Sequence, residues 1–217
     1  MKSVILIAAP AAGKGTEAEK LKEQFHMPHI STGDLLRNVR NTDSKVAKVI
    51  ADYQDRGELV PFEIVLDLLK IRILQPDCEN GYILDGFPRD LKQAEAYDKI
   101  LAETGKDLGY VIVLDVDKEI AKARISGRYS CPKCGKIYNI NNEVMKPKNE
   151  GLCDVCDVEL THRSDDDPEV YEQRYNSYIE NTKPIIDYYN TKGVVYHVDA
   201  SISPNETHKQ VVKILGE

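Results

Sequence analysis

Short apolar runs alternate with segments of helical period along this chain, and their order predicts its layers. Val4, Ile5, Leu6 and Ile7 form a β-branched run of the kind that makes a strand buried on both faces. A small-residue loop over 8–16 leads into a good helix-former over 17–23. A short second strand is expected over 27–31, after which Thr32 is placed to cap a helix reaching Arg37. A helix over 44–54 carries Val46, Val49, Ile50 and Tyr53 on one face, and Gly57 ends that segment. Pro61 suits the first position of a helix over 62–74, whose Ile64, Leu68 and Ile71 recur at helical spacing. Residues 81–85 read as a third buried strand ending on an acid, and 90–103 as a helix. The most apolar run, 110–116, reads as a central parallel strand, and Asp117 caps a helix over 118–127.

From Arg128 to Thr161 the pattern changes to Cys, Asn, Gly and Pro without helical period, which marks an inserted module. Asp167 and Pro168 restart a long helix to about Asn181, and Pro184 begins a second stretch to Tyr189. A fifth strand over 194–198 and a helix over 204–215 close the chain. Strands alternating with helices imply an α/β fold with a doubly wound parallel sheet and ligands at the carboxyl ends of its strands.

The first strand and helix frame the leading chemical candidate. Between them, Ala8-Ala9-Pro10-Ala11-Ala12-Gly13-Lys14-Gly15-Thr16 approximates a phosphate loop, in which backbone amides and the positive end of a helix stabilise an anion. Lys14 adds a cation for the outer phosphates and Thr16 a hydroxyl near a phosphate or its magnesium. Ala8 stands where the simple pattern has its first glycine, and Thr16 falls one place late. A methyl in a left-handed conformation costs about 1–2 kcal/mol, so Ala8 and Ala11 are expected at ordinary negative φ.

Composition narrows the function classes. At 217 residues, 41% hydrophobic and 30% charged, the chain is long enough to bury a real core. A formal charge of −7 argues against general nucleic-acid binding, which needs a basic surface, so anionic ligands must be met by local positive clusters. No apolar run approaches the ~18 residues of a membrane span, and the start is too short for a signal segment, so a cytoplasmic location is expected.

Asp85, at the end of a hydrophobic strand near the loop, is placed to hold magnesium directly or through water. Gly86 permits close ligand approach, and Arg89 can fork onto a phosphate. Arg37, Arg89, Arg124, Arg128, Arg163 and Arg174 stand at element ends or beside the insert, and phosphoryl transfer calls for such fixed cations. Cys131, Cys134, Cys153 and Cys156 form two C-x-x-C knuckles eighteen residues apart, the spacing of a closed structural zinc site. Cys78 is expected to be a spare or core thiol, no histidine is marked as a catalytic base, and Tyr171, Tyr175, Tyr178, Tyr188 and Tyr189 are expected to pack.

Taken in chain order, these stations resemble the adenylate kinase family, in the long form whose lid carries a zinc knuckle. The matching stretches are 9–16, Ile30-Ser31-Thr32-Gly33-Asp34-Leu35-Leu36-Arg37, Gly57-Glu58-Leu59-Val60-Pro61, and Leu84-Asp85-Gly86-Phe87-Pro88-Arg89 with Gln93. Arg124-Ile125-Ser126-Gly127-Arg128, the four cysteines, Arg163-Ser164-Asp165-Asp166 and Arg174 complete the series. The resemblance implies a P-loop kinase with a five-stranded parallel sheet: a core of 1–30, 61–127 and 164–217, an AMP-binding segment over 31–60 and a zinc-binding lid over 128–163.

It further implies reversible Mg2+-dependent transfer of the ATP γ-phosphoryl group to AMP, giving two ADP. ATP is then held by Ala11, Ala12, Gly13, Lys14, Gly15, Thr16, Arg128, Ile137, Tyr138 and Ile202. AMP falls to Thr32, Arg37, Glu58, Leu59, Val60, Gly86, Phe87, Pro88, Arg89, Gln93, Arg163 and Arg174. Lys14, Arg89, Arg124, Arg128, Arg163 and Arg174 serve catalysis, and Asp85 holds magnesium through water. The expected partners are ATP, AMP and ADP, with neither nucleic acid nor membrane, on a monomer.

Ala8 and Ala11 depart from the family's usual glycines, the segment between the cysteine pairs is somewhat long, and Tyr129 follows Arg128. Three alternatives stand beside this reading: a zinc ribbon for nucleic acid joined to a nucleotide switch, a relative that binds nucleotides without transfer, and a kinase for another monophosphate.

Overall fold

The computed structural model describes residues 2–55, 60–162, 166 and 168–216, with the side chains of 34, 37, 54, 55, 168 and 169 left aside. The five expected strands are β1 (Val4–Ala8), β2 (His29–Ser31), β3 (Ile83–Asp85), β4 (Tyr110–Asp115) and, closing the sheet, β7 (Val195–Asp199). They lie all parallel in the order β2-β3-β1-β4-β7. Alternation along the central strands divides the core into two layers. Ile5, Ile7, Ile30, Leu84, Val111 and Val113 face one side, under α4 (Phe62–Ile73), α5 (Leu91–Thr104) and α8 (Lys183–Asn190). Val4, Leu6, Ile83, Ile112, Leu114 and Val198 face the other, under α1 (Lys14–Phe25) and α9 (Pro204–Leu215). Leu6 pairs with Asp85 and Ala8 with Leu114, so the carboxyl ends of β1 and β3 open onto the same edge as the loop.

Three side-chain caps start helices, of which the one at Asp117 was expected. Asp90 accepts from Gln93 N at 2.8 Å, starting α5, and Asp117 accepts from Glu119 N at 2.8 Å, starting α6 (Lys118–Ser126). Ser44 accepts from Ala47 N at 3.0 Å, so it caps α3 (Lys45–Asp55). Thr32 departs from expectation: it begins α2 (Thr32–Arg40), and its hydroxyl donates to Gly86 O at 3.3 Å, across to the loop after β3.

The helical faces were less readable. In α3, Ala47 and Ile50 are buried while Val46 and Val49 are exposed, because α3 packs chiefly on α2 and only a narrow stripe is covered. In α4, Leu69 and Ile73 are buried and Ile71 is exposed. That helix is apolar nearly all round, so its period does not choose a face; contact with the core does. The expected break before Pro184 is a π-turn instead: α7 (Pro168–Ser177) continues through Tyr178–Thr182 into α8. Lys183 N bonds to Tyr178 O there, and the widened turn takes in the proline ring without ending the helix. Cys78 is fully buried in the core, and burial pushes its thiol up to about 11.

The insert is built on an antiparallel pair, β5 (Arg128–Ser130) and β6 (Ile137–Asn139), closed by a Ser130–Thr161 bridge. Among the described residues no helix is long and apolar enough to cross a membrane.

Candidate active site

The loop from β1 to α1 reverses the chain within a few residues. Ala12 N bonds back to Ala9 O at 3.2 Å, and Gly13 sits at φ 102° ahead of α1. The first intrahelical bond runs from Glu17 N to Gly13 O, so the amides of Lys14, Gly15 and Thr16 lack an intrahelical acceptor at the positive end of the helix. Ala8 is regular strand, as expected. Ala11 is not: its φ of 62° is left-handed, against the expectation of negative φ. Its methyl packs on a small cluster of Ala121, Ile125 and Tyr171 from α6 and α7, a tertiary contact that offsets the local cost.

Lys14 leaves this loop toward Asp85, with Nζ 3.5 Å from Oδ1. Its pKa is lowered by burial, by Arg89 and by Arg174, while Asp85 works the other way. Arg89 and Arg174 thus disfavour the charged ammonium electrostatically, and Asp85 favours it. Asp85 is held below the usual carboxylate range although burial opposes this, because His29 hydrogen-bonds it and Lys14 attracts it. Sequence reasoning missed His29, whose Nε2 is 3.3 Å from Asp85 Oδ2 and whose Nδ1 is 3.2 Å from Glu19 Oε1. Burial alone would depress the imidazolium, but the two carboxylates raise it. No spacing announces that contact, because it arises from the pairing of β2 with β3.

Across the strand edge the backbone after β3 turns at Gly86, at φ 78°. A Cβ there would stand 3.2 Å from Arg89 Nη2 and 3.5 Å from Thr32 Oγ1, so the backbone lies in a cradle of two candidate phosphate donors. Arg89 Nε donates to Gly86 O at 2.8 Å, and Arg89 N donates to Gln93 Oε1 at 2.8 Å, which turns the Gln93 amide and fixes its acceptor. Phe87 and Pro88 are buried, Phe87 packing edge-on to Tyr97. Val60 is half-buried. Glu58, Leu59 and Arg163 lie outside the described residues, as does the side chain of Arg37.

On the other side the insert rests on the loop: a Cβ on Gly15 would meet Ile137 Cδ1 at 3.2 Å. Tyr138, expected beside ATP, turns its side chain inward and is buried among the cysteines. Arg128 grips the buried carboxylate of Asp166, with Nε at 2.9 Å from Oδ2 and Nη2 on Oδ1, and Arg174 Nη1 lies 4.0 Å from the same Oδ1. Arg124 points elsewhere. Its Nη2 donates to the carbonyls of Ser201 at 3.0 Å and Ile202 at 3.3 Å, bracing the loop that carries Ile202.

The four knuckle cysteines meet as their spacing implied, with all sulfurs within 4.8 Å of one another and Cys134 Sγ 3.7 Å from Cys153 Sγ. Tetrahedral zinc at ~2.3 Å from each sulfur requires sulfurs about 3.8 Å apart, so the cluster suits a structural zinc. Cys153 is the readily ionised member at about 6; burial opposes this, and donors from Tyr138 and the amides of Val155 and Cys156 outweigh it.

A phosphate loop feeding a parallel five-stranded sheet, the Thr32 and Arg89 side chains gathered around Gly86 across the strand edge and a cysteine-knuckled flap on the loop define the P-loop kinase class. The family model for adenylate kinase matches residues 6–194. Proteins named adenylate kinase from Lachnoclostridium phytofermentans (45% identical, covering 99% of this chain and 98% of theirs) and Thermotoga maritima (42%, covering 100% and 98%) align along the whole length. Another from Caldicellulosiruptor bescii is 44% identical over 98% of both chains. The chain belongs to the adenylate kinase family.

Proposed function

We propose that this enzyme transfers the γ-phosphoryl group of ATP to AMP and back, with ATP in the loop and AMP against Gly86. The observation that carries the assignment is Lys14 reaching from the loop to Asp85 at 3.5 Å, next to the cradle that Arg89 and Thr32 form around Gly86, with Ile137 lying over the loop. Negative charge spread over a transferred phosphoryl group is stabilised by fixed cations, and little covalent chemistry is needed. The amides from Ala11 to Thr16 hold the donor phosphates, and Lys14 follows the moving group. Arg89 and Thr32, with Arg37, take the AMP phosphate, and Gln93 offers its amide to the adenine edge. Arg128, Arg163 and Arg174 surround the phosphates, and Arg124 supports the Ile202 loop beside the ATP base. Glu58, Leu59 and Val60 complete the AMP wall through their backbone.

Asp85 has the chemistry to hold magnesium through water, and that ion, when bound, neutralises charge on the donor phosphates. Closure of the flap excludes water, so transfer outruns hydrolysis. Zinc in the four-cysteine site is structural, since four thiolates leave no open position. The chain is read as a cytoplasmic monomer with no nucleic-acid partner, its acidity standing against a nucleic-acid role for the knuckle.

The test is a coupled assay with Mg2+ and ATP against AMP, GMP, CMP and UMP. ADP formation with AMP is expected; nucleotide binding without it overturns the assignment.

A further inference from the structure

Tyr138 is only 2% exposed yet carries a hydroxyl, which must find partners inside the insert. It has two. Asp154 N donates to the phenol oxygen at 2.8 Å, and the phenol O–H points to Cys153 Sγ at 3.4 Å. Because the amide already supplies the proton on one side, the hydroxyl proton is directed at the sulfur. Cys153 is fully buried and Cys131 nearly so, whereas Cys134 is exposed and Cys156 half-buried, so water cannot solvate the Cys153 sulfur. Lys136 lies 5.2 Å above the Tyr138 ring and 3.9 Å from Asp154, covering the arrangement from outside.

The neighbours of Tyr138 extend the connection. Ile137 rests on Gly15, and Asn139 Nδ2 donates to Arg124 O at 2.9 Å. One three-residue strand thus touches the phosphate loop, the cysteine cluster and the end of α6.

We propose that Tyr138 is a positioning residue of the zinc site, its hydroxyl fixing the Cys153 sulfur toward the metal and tying the knuckle to the strand that lies on the phosphate loop. This rests on the four-cysteine cluster being a zinc site. Four thiolates around one divalent ion carry excess negative charge, and a donor aimed at a water-inaccessible sulfur spreads that charge and holds the ligand in place.

The test compares the full-length chain with Tyr138→Phe, which keeps the buried ring, and with Tyr129→Phe, its register partner across the hairpin, as control. Zinc content is measured on each, then zinc release to a chromogenic chelator. Loss of a group supporting a metal ligand typically weakens binding 10–100-fold, and release from Tyr138→Phe is expected to accelerate by that order. Tyr129→Phe should match the unsubstituted chain. With Co2+ in place of zinc, the thiolate-to-cobalt absorption should shift in Tyr138→Phe and not in Tyr129→Phe.

A measurement on the unsubstituted chain covers the case of a variant that folds poorly. With 113Cd2+ bound, a coupling is expected between the metal and a tyrosine hydroxyl proton through the O–H···S bond. A native chain that takes up none of the three ions overturns the zinc reading and this proposal with it. A chain that binds zinc but shows no such coupling, or a Tyr138→Phe variant with unchanged release and cobalt spectrum, overturns the proposal alone.

Discussion

Replacing Gly86 with alanine probes the acceptor cradle directly. Gly86 is at φ 78°, where an L side chain costs about 1–2 kcal/mol. The new Cβ also stands 3.2 Å from Arg89 Nη2 and 3.5 Å from Thr32 Oγ1. The first contact is tight, and its partner is the far end of a flexible side chain, so the guanidinium gives way and the backbone strain dominates. The peptide relieves that strain by turning, which moves the carbonyl accepting from Arg89 Nε at 2.8 Å and from Thr32 Oγ1 at 3.3 Å.

Binding AMP then requires restoring the original geometry, at a cost up to the full strain. At 1.4 kcal/mol per decade, 1–2 kcal/mol corresponds to a rise in the KM for AMP of roughly 5- to 30-fold. The KM for ATP, set on the far side of the strand edge, should move less than twofold. A chain of this length loses about 2–4 °C of Tm per kcal/mol, so whatever strain the free protein keeps lowers Tm by at most about 8 °C. Initial rates are measured with AMP varied at saturating ATP and then the reverse, alongside a thermal melt. Equal rises in both KM values, or a lowered Tm with the KM for AMP unchanged, would refute the reasoning and reduce Gly86 to a turn residue.

Lys14→Ala should lower kcat by about 10²–10³ while the protein still melts cooperatively, since the group removed stabilises developing charge; a rate within tenfold of the unsubstituted chain counts against it. Stripping metal from the knuckle with a chelator should lower thermal stability and raise the KM for ATP more than that for AMP, because Ile137 of the insert contacts Gly15. A symmetrical change in the two KM values would disconnect the knuckle from the loop. His29 carries a raised pKa in the folded state, so its stabilising contact with Asp85 and Glu19 is complete below its unfolded value near ~6.5 and is lost as pH rises through the native value. Urea unfolding from pH 6 to 9 should show the advantage over His29→Gln shrinking with pH, and a growing advantage would reverse the assigned sign.

Much of this chain is governed by neighbours in sequence, and that part was legible. The β-branched run of β1, the cap Asp117 and the paired cysteines each depend on a few adjacent residues, so their local pattern sufficed. The order of strands and helices, with a phosphate loop after the first, was enough for the fold class and for the edge at which Asp85, Gly86 and Arg89 meet.

Contacts between distant segments were decided elsewhere. His29 meets Asp85 through strand pairing, and Arg124 turns to the 201–202 carbonyls, an orientation its position on α6 leaves open. Tyr138 faces the cysteines because alternation along a three-residue strand sends Ile137 to the loop and its neighbour inward. Ala11 tolerates a left-handed φ because α6 and α7 receive its methyl. Sequence by itself determined which elements form and which chemical groups are present, since propensity, caps and spacing act over a few residues. Tertiary structure alone decided which way those groups point, because orientation is set by packing between elements far apart in the chain.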